Sequence, residues 1–212
     1  MPKPMASIRE QDPGIPMTAK TEITAADILD LESYEAVRAD KRAATMALKR
    51  DRRIPVGPDA TFYFENWQTM WMQIQEMLRA ERGGAEQLVD ELVAYNPMVP
   101  QGRNLAATFM IEIADEARRD RTLRQLGNID QTISIEFAGE RVMATADDDV
   151  ERTDETGRAS SVHFLLFHFS DDQVAKFCAD DCEVTLKISH ENYRHMAGLS
   201  PASQKSLALD FA

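Results

Sequence analysis

The chain has 212 residues, of which 43% are hydrophobic and 28% charged, a composition typical of a globular protein with one sizeable core. Its formal net charge of −12 argues against general nucleic-acid binding, because that function needs a basic surface. No apolar run approaches the roughly 18 residues of a membrane span, and no apolar signal segment follows the first lysine. We therefore expect a cytoplasmic protein with no membrane contact.

The chain begins with a segment, 1–22, that has four prolines and no hydrophobic periodicity. We predict a flexible tail there and a single domain over 23–212. Thr24 is a suitable N-cap for a short helix at 25–31, and a longer helix is predicted at 34–50. Between Glu32 and Arg53, seven basic residues stand against four acidic ones. Such a run is typical of a solvated helix face, and also of a surface that docks a partner or an anionic ligand.

The most informative stretch is 53–102. Two short strands, 53–56 and 60–65, flank the turn residues Gly57-Pro58-Asp59. Asn66 can cap the helix that follows, in which both tryptophans of the chain share one apolar stripe. Gly83-Gly84 ends that helix, and a second helix at 85–95 stops at Asn96-Pro97.

This stretch has two interpretations. The aromatic helix is either the main core helix or one wall of a ligand pocket, since pockets are apolar with a few convergent polar groups. The candidate ligand-binding residues are Tyr63, Glu65, Asn66, Trp71, Gln73, Glu76, Tyr95 and Asn96, with His163 from a later strand. Glu65 or Glu76 would act as acid or base, and Trp71 as a stacking wall. Eleven residues of helix separate the two carboxylates by about 16 Å, so they would not form a close pair.

The sequence of the second half of the chain predicts mainly strands. We predict strands at 104–113, 132–137, 141–144, 160–169 and 183–189, with helices at 115–126, 171–178 and after Ser200. The segment with His190 and His195 is predicted to be a loop. The resulting fold is α+β, with an antiparallel or mixed sheet and helices packed mainly on one face.

No residues form a recognisable metal or cofactor site. Cys178 and Cys182 lack the second pair of ligands that a zinc site needs. His163 and His168 are an odd number of residues apart, so they lie on opposite faces of a strand. We therefore expect no metal and no cofactor of the chain's own.

Several blocks of sequence nevertheless resemble a known family. ITAADILDLESYEAVRADKR, VGPDATFYFEN, MWMQIQEML, AYNPMVPQG and the late SSVHFL resemble an uncharacterised bacterial domain-of-unknown-function family, number thirty-five-oh-one. Its genes tend to neighbour genes for rubrerythrin-like diiron proteins and an iron–sulfur oxidoreductase. The resemblance implies an accessory role in oxidative-stress defence beside such a redox partner, with any iron held by that partner.

Two main functions therefore remain open, with direct metal binding by His163 and carboxylates as a third possibility. The first is a non-enzymatic accessory protein that binds a rubrerythrin-like diiron protein or an iron–sulfur oxidoreductase. The alternative is a small-molecule or cofactor-binding domain, or an enzyme, with a pocket around 61–102. The sequence leaves the oligomeric state open.

Overall fold

The computed structural model describes residues 20–146 and 153–211. Within these residues it contains six α-helices and eight β-strands. The helices are α1 (Leu31–Arg52), α2 (Trp67–Glu81), α3 (Gly84–Tyr95), α4 (Glu116–Leu123), α5 (Asp171–Phe177) and α6 (Pro201–Ala208). The strands are β1 (Arg53–Val56), β2 (Ala60–Glu65), β3 (Asn104–Ile111), β4 (Ile133–Phe137), β5 (Glu140–Thr145), β6 (Val162–His168), β7 (Val184–His190) and β8 (Tyr193–Gly198).

The strands form one sheet in the order β1-β2-β3-β6-β5-β4-β7-β8, and every neighbouring pair is antiparallel. The sheet curls until its two edge strands, β1 and β8, approach one another, so it is nearly a closed barrel. The predicted α+β class and the antiparallel sheet are confirmed. The further expectation that helices pack mainly on one face stays a prediction.

The seam between the edge strands is closed by a side chain rather than by a strand ladder. The Tyr193 hydroxyl accepts hydrogen bonds from the backbone N–H of Asp59 and Ala60, each at 3.0 Å, and donates to the Val56 carbonyl at 2.8 Å. Gly57 turns beneath it with φ of 76°, and a Cβ there would lie 2.6 Å from the His195 ring. Only glycine fits at this contact, because other residues would meet both the clash and an unfavourable backbone conformation.

The barrel interior is filled with apolar side chains. Alternate residues of the central strands point inward, and Phe62, Phe109, Leu165 and Phe167 are fully buried. The rings of Phe62 and Phe109 lie 4.7 Å apart between centroids. The interior is thus a packed core, as expected of a small barrel.

A second core lies outside the barrel, between the helices and the outer face of the sheet. The apolar stripe of α2, including Met70, Trp71 and Ile74, packs with Ile23, Tyr34 and Ala106 of β3. The interpretation of α2 as a core helix is therefore correct for most of its length. Asn66 caps this helix as predicted, since its side chain accepts from the Thr69 N–H at 3.0 Å.

Two sequence-based expectations need correction, and a third is confirmed. The predicted loop containing His195 is the edge strand β8. His195 lies on the same face as the buried Tyr193 while the apolar Met196 is exposed on the other, so the sequence lacks the apolar–polar alternation of a strand. The predicted helix at 25–31 is a single 3₁₀ turn, Ala25–Asp27, and α1 begins at Leu31 because the Asp30 side chain caps it. The strand predicted at 160–169 does lie at the centre of the sheet.

The predicted flexible tail lies outside the described residues for 1–19. Residues 20–22 are held in place, since the Thr21 carbonyl accepts from Gln101 Nε2 at 2.6 Å and the Glu22 carbonyl from the Trp67 indole at 2.8 Å. Of the helices in the described part of the chain, none has the length and apolar character needed to span a bilayer.

Candidate ligand site

A groove of about 680 Å³ lies between α1, the first turns of α2 and the segment 20–29. We call it the tryptophan groove; its principal lining residues are Lys20, Asp27, Lys41, Thr45, Trp67 and Trp71. The volume is within the range that small-molecule sites occupy. The three elements that form it are far apart in the sequence, so the groove is a product of the tertiary fold.

The floor of the groove is a pair of indole rings. Trp67 and Trp71 are four residues apart on α2, so they lie on one helix face a turn apart. Their ring centroids are 6.2 Å apart and their planes differ by 14°. Each indole N–H donates to a backbone carbonyl of the segment 20–29, Trp67 to Glu22 and Trp71 to Asp27, both at 2.8 Å. The rings are therefore fixed in orientation before any ligand arrives.

Two lysines lie over the indole faces. Lys20 Nζ is 4.8 Å from the ring centroid of Trp67, and Lys41 Nζ is 5.8 Å from that of Trp71. These are cation–π distances, and at exposed sites such a contact contributes about 0.5–1 kcal/mol. Lys41 is thus held weakly enough to exchange its place over the ring for another group, whereas Lys20 also forms an ion pair with Asp27.

The two lysines differ in their charge environment. Lys20 forms an ion pair with Asp27 at 2.5 Å, and the Lys20 ammonium lowers the pKa of Asp27 to about 2. Lys41 forms no ion pair with any residue that the structure describes. The groove therefore has one positive charge in excess.

The wall of the groove is held by Asn96. Its amide oxygen accepts from the Ile23 N–H at 2.8 Å, and its amide nitrogen donates to the Ile23 carbonyl at 2.9 Å. Both backbone groups of a buried residue are satisfied in this way, as in a strand ladder. The structure thus connects Asn96 to the site indirectly, through the segment 20–29.

Glu76 faces away from the groove. Arg38 donates to its two carboxylate oxygens at 2.7 and 2.8 Å, and the Tyr34 hydroxyl donates to one of them at 2.5 Å. The hydrogen bond from Arg38 is the main reason that the pKa of Glu76 falls to about 2. A carboxylate with so low a pKa is a weak base at neutral pH, so this geometry favours an anchoring role between α1 and α2.

The other candidates lie in separate places. Glu65 is buried on the outer sheet face, where it accepts from the Thr108 hydroxyl at 3.0 Å while its other carboxyl oxygen has no partner in the described structure. Tyr63 donates to Glu112 at 2.9 Å, and Gln73 lies 3.5 Å from the Tyr95 hydroxyl.

His163 is buried, with Nε2 2.9 Å from the Ser160 carbonyl oxygen, and its ring lies beside that of Phe109. Of the nine candidates, only Trp71 lines the tryptophan groove directly. The others are not brought together in it, and their roles in binding stay predictions.

Sequence reasoning missed the lysines and Thr45 as site residues. A signal was available for Lys41, which lies one helical turn before Thr45 within the basic run of α1. Its position over an indole of another helix depends on tertiary packing and has no local signature. No cluster of three or more potential metal ligands occurs among residues 20–146 and 153–211.

The comparisons with known proteins now identify the family. The family model described as Protein of unknown function (DUF3501) matches residues 22–211. The chain belongs to this family. The expected membership is thereby confirmed, and it covers nearly the whole chain, including every residue of α1 and α2.

A crystal structure of a novel protein of unknown function from Burkholderia pseudomallei K96243 is similar to this chain. The two are 35% identical, the match covers 90% of this chain and 99% of that one, and the TM-score is 0.82. No curated protein matches the chain. Family and fold are therefore shared with proteins whose function is likewise open.

Proposed function

We propose that this protein binds a small planar organic molecule in the tryptophan groove. The observation that carries the proposal is the pair of nearly parallel indoles, Trp67 and Trp71, on the floor of a groove of ligand size. Trp67 is partly exposed, whereas Trp71 is 6% exposed and Lys41 lies over its ring, so a ligand would stack mainly on Trp67. This flat apolar surface is offered at little entropic cost, because hydrogen bonds to the backbone already fix both rings.

The groove supports binding better than catalysis. Its one carboxylate among the principal lining residues, Asp27, is ion-paired with Lys20, which keeps it ionised and makes it a weak base. Enzymes commonly place two titratable groups with separated pKa values around the reacting atoms. The proposed role is therefore that of a binding protein, which is the small-molecule alternative among the sequence-based hypotheses.

The test is calorimetric titration of the purified protein with three neutral planar probes: 2-naphthamide, adenine and lumichrome. We expect at least one to bind, and Trp67→Leu to weaken that binding at least tenfold by removing half of the floor. Phe164→Leu is the matched control, because Phe164 is an exposed aromatic residue on β6 that does not line the groove. Failure of all three probes to bind, or equal weakening by both variants, would contradict the proposal.

We propose as a second function that the protein acts as a cytoplasmic accessory of a rubrerythrin-like or iron–sulfur redox partner. Support comes from the outer face of α1, where Arg42, Met46 and Arg50 follow one another at intervals of one turn. Met46 is 66% exposed although it is apolar, and the Arg50 side chain is 80% exposed. A cationic face with an exposed methionine is suited to an acidic partner.

This second proposal is tested by affinity purification of the tagged chain from its own host, followed by mass spectrometry and an absorption spectrum. Recovery of a diiron or iron–sulfur protein is expected, and Arg42→Glu with Arg50→Glu should abolish it by reversing the charge of the face. A tagged chain that purifies alone, or a complex that withstands both charge reversals, would count against docking through α1.

A further inference from the structure

The charges around the tryptophan groove indicate what kind of planar molecule it takes, provided that the proposed function is correct. Lys20 and Asp27 form an ion pair at 2.5 Å, so together they contribute no net charge. Lys41 adds one ammonium group that no described carboxylate neutralises. The rest of the protein is strongly acidic, with a net charge of −12. The groove is thus a local positive site on a negative molecule.

The positive charge of Lys41 lies beside the surface on which a planar ligand would stack. Its Nζ lies 5.8 Å from the ring centroid of Trp71, above the face on which a planar ligand would stack. A lysine ammonium has three N–H donors, and a contact with the ring occupies none of them in a hydrogen bond. Once a stacking ring has displaced the ammonium from the indole face, an anionic substituent at the edge of that ring would lie within reach of these donors.

We propose that the ligand of the tryptophan groove is a planar aromatic molecule with a single anionic group, which Lys41 binds while the ring stacks on the indoles. A cationic ligand would meet Lys41 as a like charge. A dianion would leave one negative charge without a partner, since Asp27 occupies Lys20. A monocarboxylate, or another singly charged acid on a fused ring, matches the Lys41 ammonium, which has no ion-pair partner among residues 20–146 and 153–211.

The test uses three probes that share a naphthalene ring system and differ in the charge of their substituent: 2-naphthoate, 2-naphthamide and naphthalen-2-ylmethylammonium. We expect 2-naphthoate to bind about tenfold more tightly than the amide, because its carboxylate adds a charge–charge attraction to a hydrogen bond that the amide oxygen can also accept. The ammonium probe should bind most weakly. Attraction to the acidic protein as a whole would give the opposite order, so the ranking itself is informative.

The decisive variant is Lys41→Met, which keeps a straight side chain over Trp71 and removes the charge. It should abolish the preference for 2-naphthoate over 2-naphthamide, because the charge that distinguishes the two probes is removed. Lys205→Met is the matched control, because Lys205 is an exposed lysine on α6 outside the groove. Since Lys41 is also exposed, both variants are expected to fold normally, which circular dichroism would verify.

The outcomes separate this inference from the function on which it rests. Binding of 2-naphthamide with no preference for the anion, or a preference that survives in Lys41→Met, overturns the role of Lys41 and leaves the groove as a site for neutral molecules. Equal loss of preference in Lys205→Met also overturns it, because the effect would then be one of total charge. Failure of all three probes would overturn both the proposed function and the inference.

Discussion

The barrel interior and the tryptophan groove are both built from aromatic side chains, but they differ in how those rings are surrounded. In the barrel, Phe62 and Phe109 are fully buried and contact only other parts of the protein. In the groove, Trp67 is only partly buried, and a flexible lysine lies over each indole face. Aromatic content alone therefore does not distinguish a core from a binding surface.

The two regions differ in whether a neighbour of an aromatic ring can be replaced by a ligand. A ring inside the barrel cannot lose a neighbour without leaving a cavity, which costs several kcal/mol. A ring in the groove can exchange a lysine for a ligand at small cost, because an exposed cation–π contact is weak. Variants on the barrel side should thus change the free energy of unfolding, and variants in the groove should change affinity.

The largest effect is expected from Arg52→Met on the barrel side. Arg52 is 1% exposed and donates to the carbonyls of Phe64, Glu65 and Ser206 at 2.9–3.0 Å while forming an ion pair with Asp210. Loss of the guanidinium leaves a buried carboxylate without a partner, so the free energy of unfolding should fall by about 3–5 kcal/mol at pH 8. Urea denaturation measures this change.

The loss of unfolding free energy in Arg52→Met should depend on pH. Burial raises the pKa of Asp210 to about 6, against the opposing effect of Arg52. Because the folded-state pKa is raised, Asp210 binds its proton more tightly when folded, and its contribution to stability is lost as the pH rises through 6. Arg52→Met should therefore cost less at pH 5 than at pH 8. The double variant Arg52→Met/Asp210→Leu should recover most of the loss; no recovery would place the cost in the backbone contacts instead.

A smaller effect is expected where Tyr193 closes the seam. Tyr193→Phe removes a hydroxyl that has three backbone partners on the other edge of the barrel. Buried polar groups left without partners cost about 1–3 kcal/mol, so urea denaturation should show a loss of that size. Affinity for a groove probe should stay unchanged in the folded variant. A loss below about 0.5 kcal/mol would mean that water replaces the hydroxyl.

The sequence predicted most of the elements of both regions because their signals are local. The period of two in β3 and β6 and the apolar stripe of α2 are readable without tertiary information. The caps at Asn66 and Ser200 also act within their own turn of helix. Strand β8 was missed because it has a histidine on the face of the buried Tyr193 and the apolar Met196 on the exposed face, so the period of two does not appear in the sequence.

The candidate site could be predicted only in part. Trp71 was identified because its residue type and helix position suggest a wall, and it does line the groove. Glu76 was selected for its chemistry, yet its environment is determined by Arg38, 38 residues earlier in the chain. Lys41 was not selected, because its contact with Trp71 exists only after α1 and α2 have packed. The pattern of residues in the sequence does not show which distant elements pack against one another.

On the helical side, the ion pair between Arg38 and Glu76 should give a modest, pH-dependent effect. The pKa of Glu76 is lowered from 4.5 to about 2, so its contribution to stability is present above pH 4.5 and is lost as the pH falls towards 2. The side chains are 23% and 31% exposed, and we expect Glu76→Gln to cost about 1 kcal/mol at pH 7. The difference between variant and wild type should vanish near pH 2. An undiminished difference at that pH would point to lost packing rather than lost charge.

The smallest change in the free energy of unfolding is expected from Asn96→Ala, and its structural effect should be confined to the segment 20–29. The variant removes both hydrogen bonds to Ile23, while the indoles of Trp67 and Trp71 still hold the flanking carbonyls of Glu22 and Asp27. The free energy of unfolding should fall by less than about 1 kcal/mol, because the wall can open without the barrel.

Hydrogen exchange should locate the change from Asn96→Ala. The Ile23 amide loses its acceptor and should exchange at least tenfold faster, whereas amides in β3 should be unaffected. Asn192→Ala is the matched control, because Asn192 donates to the Gln125 carbonyl at 2.9 Å on the barrel side and has no contact with the segment 20–29. If Ile23 exchanged no faster, or β3 exchanged equally faster, the groove wall would belong to the same cooperative unit as the barrel, and the two regions would not be separable.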